Sequence, residues 1–289
     1  MLWHWMTRRE ARMRTRDCWQ LAVWVGLYAL VARPVAAQAP TPMADWQHSP
    51  GVALVPYFVD AVPRWQWVVA AGTVGLPSYE GAQQLRLTPV AAAELRYRNI
   101  AYFSTSEGIG YNLFKSKSYR IGSSLGYDLG RTQRRAPRLA GLGDIEGGPE
   151  LRFYVEKVWF PLVLRASTRH TLDGSTGWSA DFSAYLPVAG GQTYFVLAGP
   201  AVAIADGAAN QRRFGVSAAQ AQQSGLPQYS ASGGLRNASL GFSATYFLDR
   251  FWFCNATGSV QKLLGAAADS PVVEDKLQTA LLLVAGYRW

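Results

Sequence analysis

The sequence has very little cysteine and histidine, and this excludes several classes of protein. Only two of its 289 residues are cysteine and three are histidine. Cys18 lies in the N-terminal segment, and Cys254 has no partner once that segment is removed, so a disulfide framework is excluded. The sequence contains no cluster of histidine and cysteine and no acidic loop of calcium-binding spacing. It therefore predicts neither a metal site nor a cofactor.

Long apolar runs are also missing beyond the first residues of the chain. The apolar run at residues 21–32 is about 12 residues long, below the ~18–20 that a membrane-spanning helix requires. It follows a basic segment and is followed by small residues, a pattern typical of a secretory signal peptide. We expect cleavage after Ala37, because cleavage after Ala39 would leave a proline beside the scissile bond. The sequence thus predicts a signal peptide at residues 1–37 and a proline-rich tail at residues 38–63.

The charge of the remaining chain is only moderately positive. The whole sequence has 28 Lys and Arg against 19 Asp and Glu. The predicted signal peptide contains six arginines and two acidic residues, which leaves 22 basic and 17 acidic residues and a net charge of +5. The arginines are scattered instead of gathered on one element, so the sequence indicates no nucleic-acid partner.

What the chain does contain is a regular alternation of apolar and polar residues. In residues 119–130 the apolar or aromatic positions are Tyr119, Ile121, Leu125, Tyr127 and Leu129. The positions between them are mostly charged or small, which is the period-two pattern of a β-strand with two different faces. Elsewhere the same alternation places Arg152, Glu156 and Arg165 in mid-strand, where a dry sandwich core would make them costly. These charges favour a transmembrane barrel with an apolar face toward lipid and a polar face lining a water-filled lumen.

The order of long and short connections gives the number of strands. Reading back from the C-terminus, long and short connections alternate at 265–275, 248–250, 206–235, 189–192, 170–177, 159–161, 131–148 and 115–118. Outer-membrane barrels keep short turns in the periplasm and long loops outside. Counting residues 100–114 as two strands continues the alternation through a turn at 98–99 and an outer loop at 76–84. The prediction is an all-β antiparallel barrel at residues 64–289 with twelve strands, ten being the fallback, and with the tail 38–63 in the periplasm.

Two loops carry the charged residues that are the candidate site. One loop is rich in arginine and the other in carboxylates, and both are predicted on the outer side of the barrel. We expect ion pairs between them to fold the loops over the barrel mouth, with cation binding by the carboxylates as the alternative. The residues are Arg131, Arg134, Arg135, Arg138, Asp269, Glu274 and Asp275.

Catalytic residues are not indicated. After the predicted signal peptide only two histidines remain, and His48 lies in the proline-rich tail. His170 has Ser167 and Asp173 nearby, which are the residue types of a proton relay, but no motif fixes their geometry. We therefore predict no catalytic residue and no enzyme. Cys254 is predicted to be a small apolar residue on the lipid-facing side of its strand.

Several short segments together resemble the MipA/OmpV family of Gram-negative outer-membrane proteins. They occur in the family's order across residues 65–289. The segments are Tyr79-Glu-Gly81, Gly108-Ile-Gly-Tyr-Asn-Leu113, Gly126-Tyr-Asp-Leu-Gly-Arg131, Leu142-Gly-Asp-Ile145, Phe214-Gly-Val-Ser-Ala-Ala-Gln-Ala221, Ser224-Gly-Leu-Pro227 and Ala268-Asp-Ser-Pro-Val-Val-Glu-Asp275. The chain departs from the family in ending at Trp289, where Phe is usual, and in having arginines in the loop 131–138, where acidic residues are common.

The resemblance implies an exported barrel in the cell outer membrane, surrounded by lipid and inserted by the barrel assembly machinery. It also implies a scaffold that links a lytic murein transglycosylase to a bifunctional penicillin-binding protein during growth of the peptidoglycan sacculus. Other members are regarded as antigens, adhesins or candidate channels, so a small pore or a surface adhesin is the alternative. By similarity to other outer-membrane barrels, Tyr287 and Trp289 are expected to form the signal that the assembly machinery recognises. The strand that carries them is expected to close the barrel against residues 65–75.

Overall fold

Alternating side chains along the chain produce twelve strands that pair antiparallel and close on themselves. The computed structural model describes residues 64–116, 118–159, 161–172 and 177–289, so the predicted signal peptide and tail lie outside the described residues. The strands are β1 (Trp65–Pro77), β2 (Leu85–Tyr97), β3 (Ala101–Ser104), β4 (Gly108–Lys115), β5 (Tyr119–Asp128), β6 (Gly148–Trp159), β7 (Leu162–Thr171), β8 (Trp178–Gly190), β9 (Tyr194–Ala205), β10 (Gly234–Phe247), β11 (Trp252–Leu263) and β12 (Leu277–Arg288). The predicted outer-membrane barrel and its count of twelve strands are confirmed.

The helical segments in the described part of the chain lie in connections on the extracellular side. They are α1 (Gly207–Phe214), α2 (Ala218–Ser224), α3 (Gly265–Ala268) and two 3₁₀ turns at Gln133–Arg135 and Pro137–Leu139. α1 begins where Asp206 accepts a hydrogen bond from the backbone N–H of Ala209 at 2.8 Å. α2 begins at a capping box between Ser217 and Gln220, and both caps satisfy N–H groups that a helix start leaves unpaired. Within the described residues, no helix is both long and apolar enough to cross a membrane.

The two faces of each strand differ as the alternation predicts. On β5, Tyr119, Leu125 and Tyr127 are exposed on the outside, whereas Arg120 and Ser124 are buried inside. Large apolar side chains stay exposed around the whole barrel, and a surface of that size in contact with water is unusual for a soluble protein. This outer surface is therefore the lipid-facing side. Cys254 is exposed on it, as expected.

β12 closes the barrel by pairing with β1, as predicted. The register runs from Val68 opposite Arg288 to Gly75 opposite Leu281. Beyond it, the N–H of Trp67 donates to the carbonyl of Trp289 at 3.0 Å, and the reverse bond measures 2.9 Å. The last residue of the chain is thus held in the barrel wall by a reciprocal pair of hydrogen bonds.

The wall is low at β3 and β4. β3 has four residues and β4 has eight, fewer than the ~9–11 that a tilted strand needs to cross a membrane. β2 therefore pairs with β3 only over residues 94–97, and its edge at residues 85–92 has no partner strand among the described residues. The backbone of Ala93 points to this side, where it exchanges hydrogen bonds with Thr105. Pro89 is four residues before Ala93, so its backbone points to the same side of the strand. Its missing N–H therefore falls on the unpaired edge, where no hydrogen bond between strands is lost.

Side chains fill much of the interior of the periplasmic half, where the sequence favoured a water-filled lumen. One apolar cluster consists of Val158, Val163, Tyr185, Leu197 and Ala201. A second consists of Val68, Ala70, Phe253 and Val284. Glycines on the inner faces of β4 and β5 make room for aromatic rings. A Cβ at Gly110 would collide with the ring of Tyr102, and a Cβ at Gly122 would collide with Tyr154.

Candidate functional site

The long loops fold over the extracellular mouth of the barrel and pack against one another. A buried apolar cluster joins four connections, with Tyr79 from the first, Leu139 from the second, Val216 from the third and Val272 from the last. The hydroxyl of Tyr79 donates to the carbonyl of Val272 at 3.0 Å. Burial raises the pKa of Tyr79, and Glu274 adds to this by hydrogen bonding and charge. The mouth is thus closed by a small apolar core of its own.

A second cluster attaches the helices to the barrel rim. Its buried members are Phe214, Ala231, Leu263, Ala267 and Ala268. They come from α1, from the segment before β10, from the end of β11 and from α3. α1 therefore lies across the mouth with its C-terminal end fixed by Phe214, which is completely buried.

The arginine-rich loop makes its contacts mainly through backbone acceptors. Arg138 donates to the carbonyl of Pro271 at 3.1 Å, which links this loop to the carboxylate-rich loop. Arg131 donates to the carbonyl of Arg213 at 2.8 Å, and Arg135 to that of Ser78 at 3.3 Å. Arg134 is exposed. The structure thus brings the two predicted loops together, while the ion pairs expected between them stay a prediction.

The carboxylates of the last loop form an ion pair and hydrogen bonds with nearby groups. Asp269 forms an ion pair with Lys276 at 3.3 Å, with both side chains largely exposed. Glu274 accepts from the N–H of Gln83 at 3.4 Å, and Asp275 accepts from the N–H of Leu277 at 2.8 Å. In the described ranges, no group of three or more His, Cys, Asp or Glu side chains is arranged to hold a metal ion.

Two arginines of the predicted site have unusual electrostatic surroundings. Burial lowers the pKa of Arg131 to about 10, and the positive charge of Arg213 lowers it further. Burial also lowers the pKa of Arg135, with a contribution from the charge of Arg86. At both positions burial is the main cause of the lowered pKa, and the charge of a neighbouring arginine adds to it.

His170 is not arranged for a proton relay with Ser167. The two residues are three apart on β7, so their side chains point to opposite faces of the wall. Ser167 is buried inside, whereas Nδ1 of His170 lies 2.8 Å from the carbonyl oxygen of Gly177. Asp173 lies outside the described residues.

The mid-strand charges of the periplasmic half form buried ion pairs. Arg120 donates to Glu156 through Nε at 2.9 Å and through Nη2 at 2.7 Å. Arg165 donates to Glu107 at 2.8 Å and lies 3.9 Å from Glu156. Glu156 is 0% exposed. These charges are thus buried and paired with one another.

A second group of charges, not anticipated from the sequence, lies above them under the loops. Asp128 at the end of β5 pairs with Arg212 at 2.7 Å and with Arg213 at 3.0 Å, both on α1. Arg236 on β10 lies 3.8 Å from Glu80. The partners are more than 80 residues apart in the first two pairs, so no local sequence pattern could have identified them.

The predicted assembly-signal residues lie in an aromatic cluster at the periplasmic end. Tyr287 stacks on Phe251 with ring centroids 5.5 Å apart, and it meets Trp252 edge-on at 5.0 Å. Trp67 lies 5.4 Å from Tyr287 and 6.5 Å from Trp289. This arrangement holds both residues at the seam where β12 meets β1 and β11. Recognition of these residues by the assembly machinery stays a prediction.

Comparison with known proteins identifies the family of this chain. Residues 69–289 match the family described as "MltA-interacting protein MipA", and a search of curated protein sequences finds no match. Among solved structures, the chain is similar to OprD of Pseudomonas aeruginosa at 10% identity, covering 70% of this chain and 55% of that one, with a TM-score of 0.34. It is also similar to the toluene transporter TodX of Pseudomonas putida at 10% identity, covering 87% and 94%, with a TM-score of 0.38. The chain spans 55% of the length of OprD, and these structural likenesses carry no argument about function. The family match covers all but the first few residues of the twelve-stranded barrel, and the chain belongs to the MipA family.

Proposed function

We propose that this barrel is a non-enzymatic interaction protein that holds a murein enzyme at the periplasmic face of the outer membrane. The observation that carries the proposal is the filled interior. Buried ion pairs and apolar clusters occupy the periplasmic half, and the loop clusters cover the other end. A barrel packed in this way offers surfaces to a partner instead of a channel to a solute. The description of the family as MltA-interacting supports a murein enzyme as that partner.

The periplasmic rim supplies a surface of one charge. The basic residues there are Arg64, Arg98, Lys115, Lys157, Arg250 and Arg288. Several are held against aromatic rings, with Arg288 4.1 Å from the ring of Phe247 and Arg250 4.5 Å from that of Phe251. Among the described residues of this rim, Asp249 is the one surface side chain with a carboxylate, and it accepts hydrogen bonds from two backbone N–H groups. The rim therefore favours a partner with an acidic docking surface.

Capture of a lytic murein transglycosylase tests the proposal. The purified barrel is immobilised, and retention of the enzyme is measured for the full mature chain, for a chain lacking residues 38–63, and for a triple variant Arg98→Glu, Lys157→Glu and Arg250→Glu. We expect the triple variant to lose capture, and the loss to be strongest at low salt, where charge complementarity acts over the longest distance. Arg134→Glu is the matched control, because it reverses an exposed charge at the opposite end. Capture that survives both the deletion and the triple reversal would remove the basis of the proposal.

The same filled interior argues against the alternative of a small diffusion pore. We expect the purified barrel to give no regular conductance steps in planar lipid bilayers. Steps that persist with the loops intact, and whose size is reproducible, would support the pore and contradict the interaction role.

A further inference from the structure

The short hairpin of β3 and β4 leaves a notch in the outer half of the wall. A residue of a strand tilted by about 40° rises ~2.6 Å along the membrane normal, so the ~25 Å apolar band of a barrel takes about ten residues. Counted from Tyr97, which packs on Trp65 at the periplasmic end, this band ends near Leu87. The hairpin turns back at residues 105–107, level with Ala93. Above that level, one edge of β2 has no partner strand among the described residues.

The edge of β2 along the notch carries backbone groups that need hydrogen-bond partners. β2 pairs with β1 in a regular register without a bulge, so its peptide groups alternate between the two edges. Ala93 exchanges hydrogen bonds with Thr105 on the notch side. The N–H groups of Leu87 and Ala91 and the carbonyls of Leu87, Pro89 and Ala91 therefore point into the notch. Peptide groups without partners are costly at membrane depth, so these groups favour a polar occupant.

Side chains beside the notch show the same opening. Even-numbered side chains of β2 face the interior, where Glu94 and Arg96 are buried. Nearer the outer end, Val90 and Ala92 are only half-buried, and Arg86 is exposed. The interior face of β2 thus becomes accessible where the neighbouring strands end.

A further strand fits this edge poorly, whereas a lipid fits it well. Pro89 lies in the middle of the edge and has no N–H, so a strand added there would lack one of its hydrogen bonds. Proline on an edge strand discourages such pairing. On the outer face of the same segment, Leu85 is 51% exposed and Leu87 is 71% exposed. Acyl chains of a bound lipid would cover these two leucines while its headgroup meets the edge.

The outer end of the notch is basic. Arg86 stands there, and Arg135 is held close by through a hydrogen bond to the carbonyl of Ser78 at 3.3 Å. Burial lowers the pKa of Arg135 and the charge of Arg86 lowers it further, which shows that the two guanidinium groups are near each other. Arginines at a membrane surface attract anionic lipids, and the guanidinium fork matches a phosphate.

The length of the edge indicates the kind of headgroup. Leu87 and Ala91 are ~14 Å apart along the strand, too far for one phosphate to serve both. A headgroup of linked sugars carries hydroxyl groups over a comparable length, and amides that join acyl chains to the sugars reach deeper into the membrane. Both kinds of group donate and accept hydrogen bonds, as the edge requires.

We propose that the notch binds an outer-leaflet lipid whose headgroup is a phosphorylated amino sugar with amide-linked acyl chains. The phosphate lies beside Arg86, the hydroxyl and amide groups pair with the edge at Leu87 and Ala91, and the acyl chains cover the outer face of β2. The site is in the outer half of the barrel, so it does not depend on the interaction function proposed for the periplasmic rim.

Hydrogen exchange in the presence of lipid A tests the proposal. The barrel is placed in nanodiscs of phosphatidylcholine alone, with added phosphatidylglycerol, or with added diphosphorylated lipid A, and amide exchange is followed by NMR. We expect the amides of Leu87 and Ala91 to exchange rapidly in the first two membranes and at least about tenfold more slowly with lipid A. The amides of Thr88 and Val90 point to β1 and should stay protected in all three.

A titration with lipid A tests the role of Arg86. We expect Arg86→Gln to raise the lipid A concentration that gives half of the protection by about fivefold. Both residues of the comparison are exposed, so folding is preserved. Lys262→Gln is the matched control, because Lys262 is an exposed cation at the same end of the barrel, three strands away, and it should bind as wild type does.

Other occupants of the notch give different results. Protection without lipid A, together with a dimer in native mass spectrometry, would assign the edge to a second copy. Protection without lipid A that is lost when residues 38–63 are deleted would assign it to the chain itself. Either result overturns the proposal. Rapid exchange even with lipid A, equal protection by phosphatidylglycerol, or protection that Arg86→Gln does not weaken would overturn it as well.

Discussion

Replacing Glu156 by Gln should reveal whether the periplasmic half of the barrel is dry. Glu156 is 0% exposed and accepts two hydrogen bonds from Arg120. The amide has nearly the shape of the carboxylate but no charge, so the substitution removes the negative charge that accepts both of these hydrogen bonds from the buried Arg120. In a dry interior such a loss costs about 3–5 kcal/mol of the free energy of unfolding. In a water-filled lumen it would cost about 0–1 kcal/mol, as for a surface ion pair.

The measurement is a denaturant titration of folding into lipid vesicles, followed by tryptophan fluorescence and by the heat-dependent mobility of the barrel on gels. The double variant Glu156→Gln with Arg120→Gln should recover part of the loss, because no unpaired charge remains. Asp269→Asn is the matched control, since Asp269 and Lys276 form an ion pair whose side chains are 70% and 55% exposed. If Glu156→Gln costs no more than this control, the dry interior is refuted.

Three further predictions concern other parts of the barrel. Burial raises the pKa of Tyr79, so the unfolded chain ionises near pH 10 while the folded barrel keeps the proton; stability should fall as the pH rises above about 10. Tyr79→Phe should weaken this pH dependence and, by removing the bond to Val272, cost about 1 kcal/mol at pH 8. An unchanged slope in denaturant titrations at pH 9 to 11 would contradict the assignment. Cys254 faces lipid, so in vesicles it should react with a membrane-soluble maleimide and not with a charged one; equal labelling by both reagents would place it in water. Tyr287→Ala removes the aromatic contacts with Phe251 and Trp67 and should lower the yield of barrel inserted by the purified assembly machinery more than the yield of spontaneous folding into detergent. An equal effect on both yields would assign Tyr287 to stability alone.

The wall of the barrel could be predicted from the sequence because it depends on period-two alternation. β5 and β12 each show which side chains face lipid without reference to any other strand. The alternation of long and short connections then required residues 100–114 to be two strands, which the structure confirms as β3 and β4. The same alternation explains why His170 and Ser167 cannot form a proton relay. Two residues an odd number apart on a strand have side chains on opposite faces of the wall.

The contents of the barrel could not be predicted in the same way. Arg120 and Glu156 are on adjacent strands, but whether they meet water or each other depends on how tightly the barrel is filled. The second group of charges, under the loops, depends on α1. This helix brings Arg213 to Asp128, which lies 85 residues away in the sequence. The pattern of apolar and polar residues indicates which face of a strand a residue occupies. It does not indicate which distant loop covers that face.

The low wall at β3 and β4 has a consequence for the surrounding membrane. β2 pairs with β1 along its whole length, but the peptide groups on its other edge at residues 85–92 have no partner strand among the described residues. Unpaired peptide groups do not face lipid tails. Water or polar headgroups must therefore descend beside β2, which thins the outer leaflet on that side of the barrel. The opposite side, where β8 to β11 are each twelve residues or longer, supports a bilayer of ordinary thickness. The barrel thus deforms its membrane unevenly and has a preferred direction in the membrane plane, which would orient it relative to neighbouring proteins that match the thinner side.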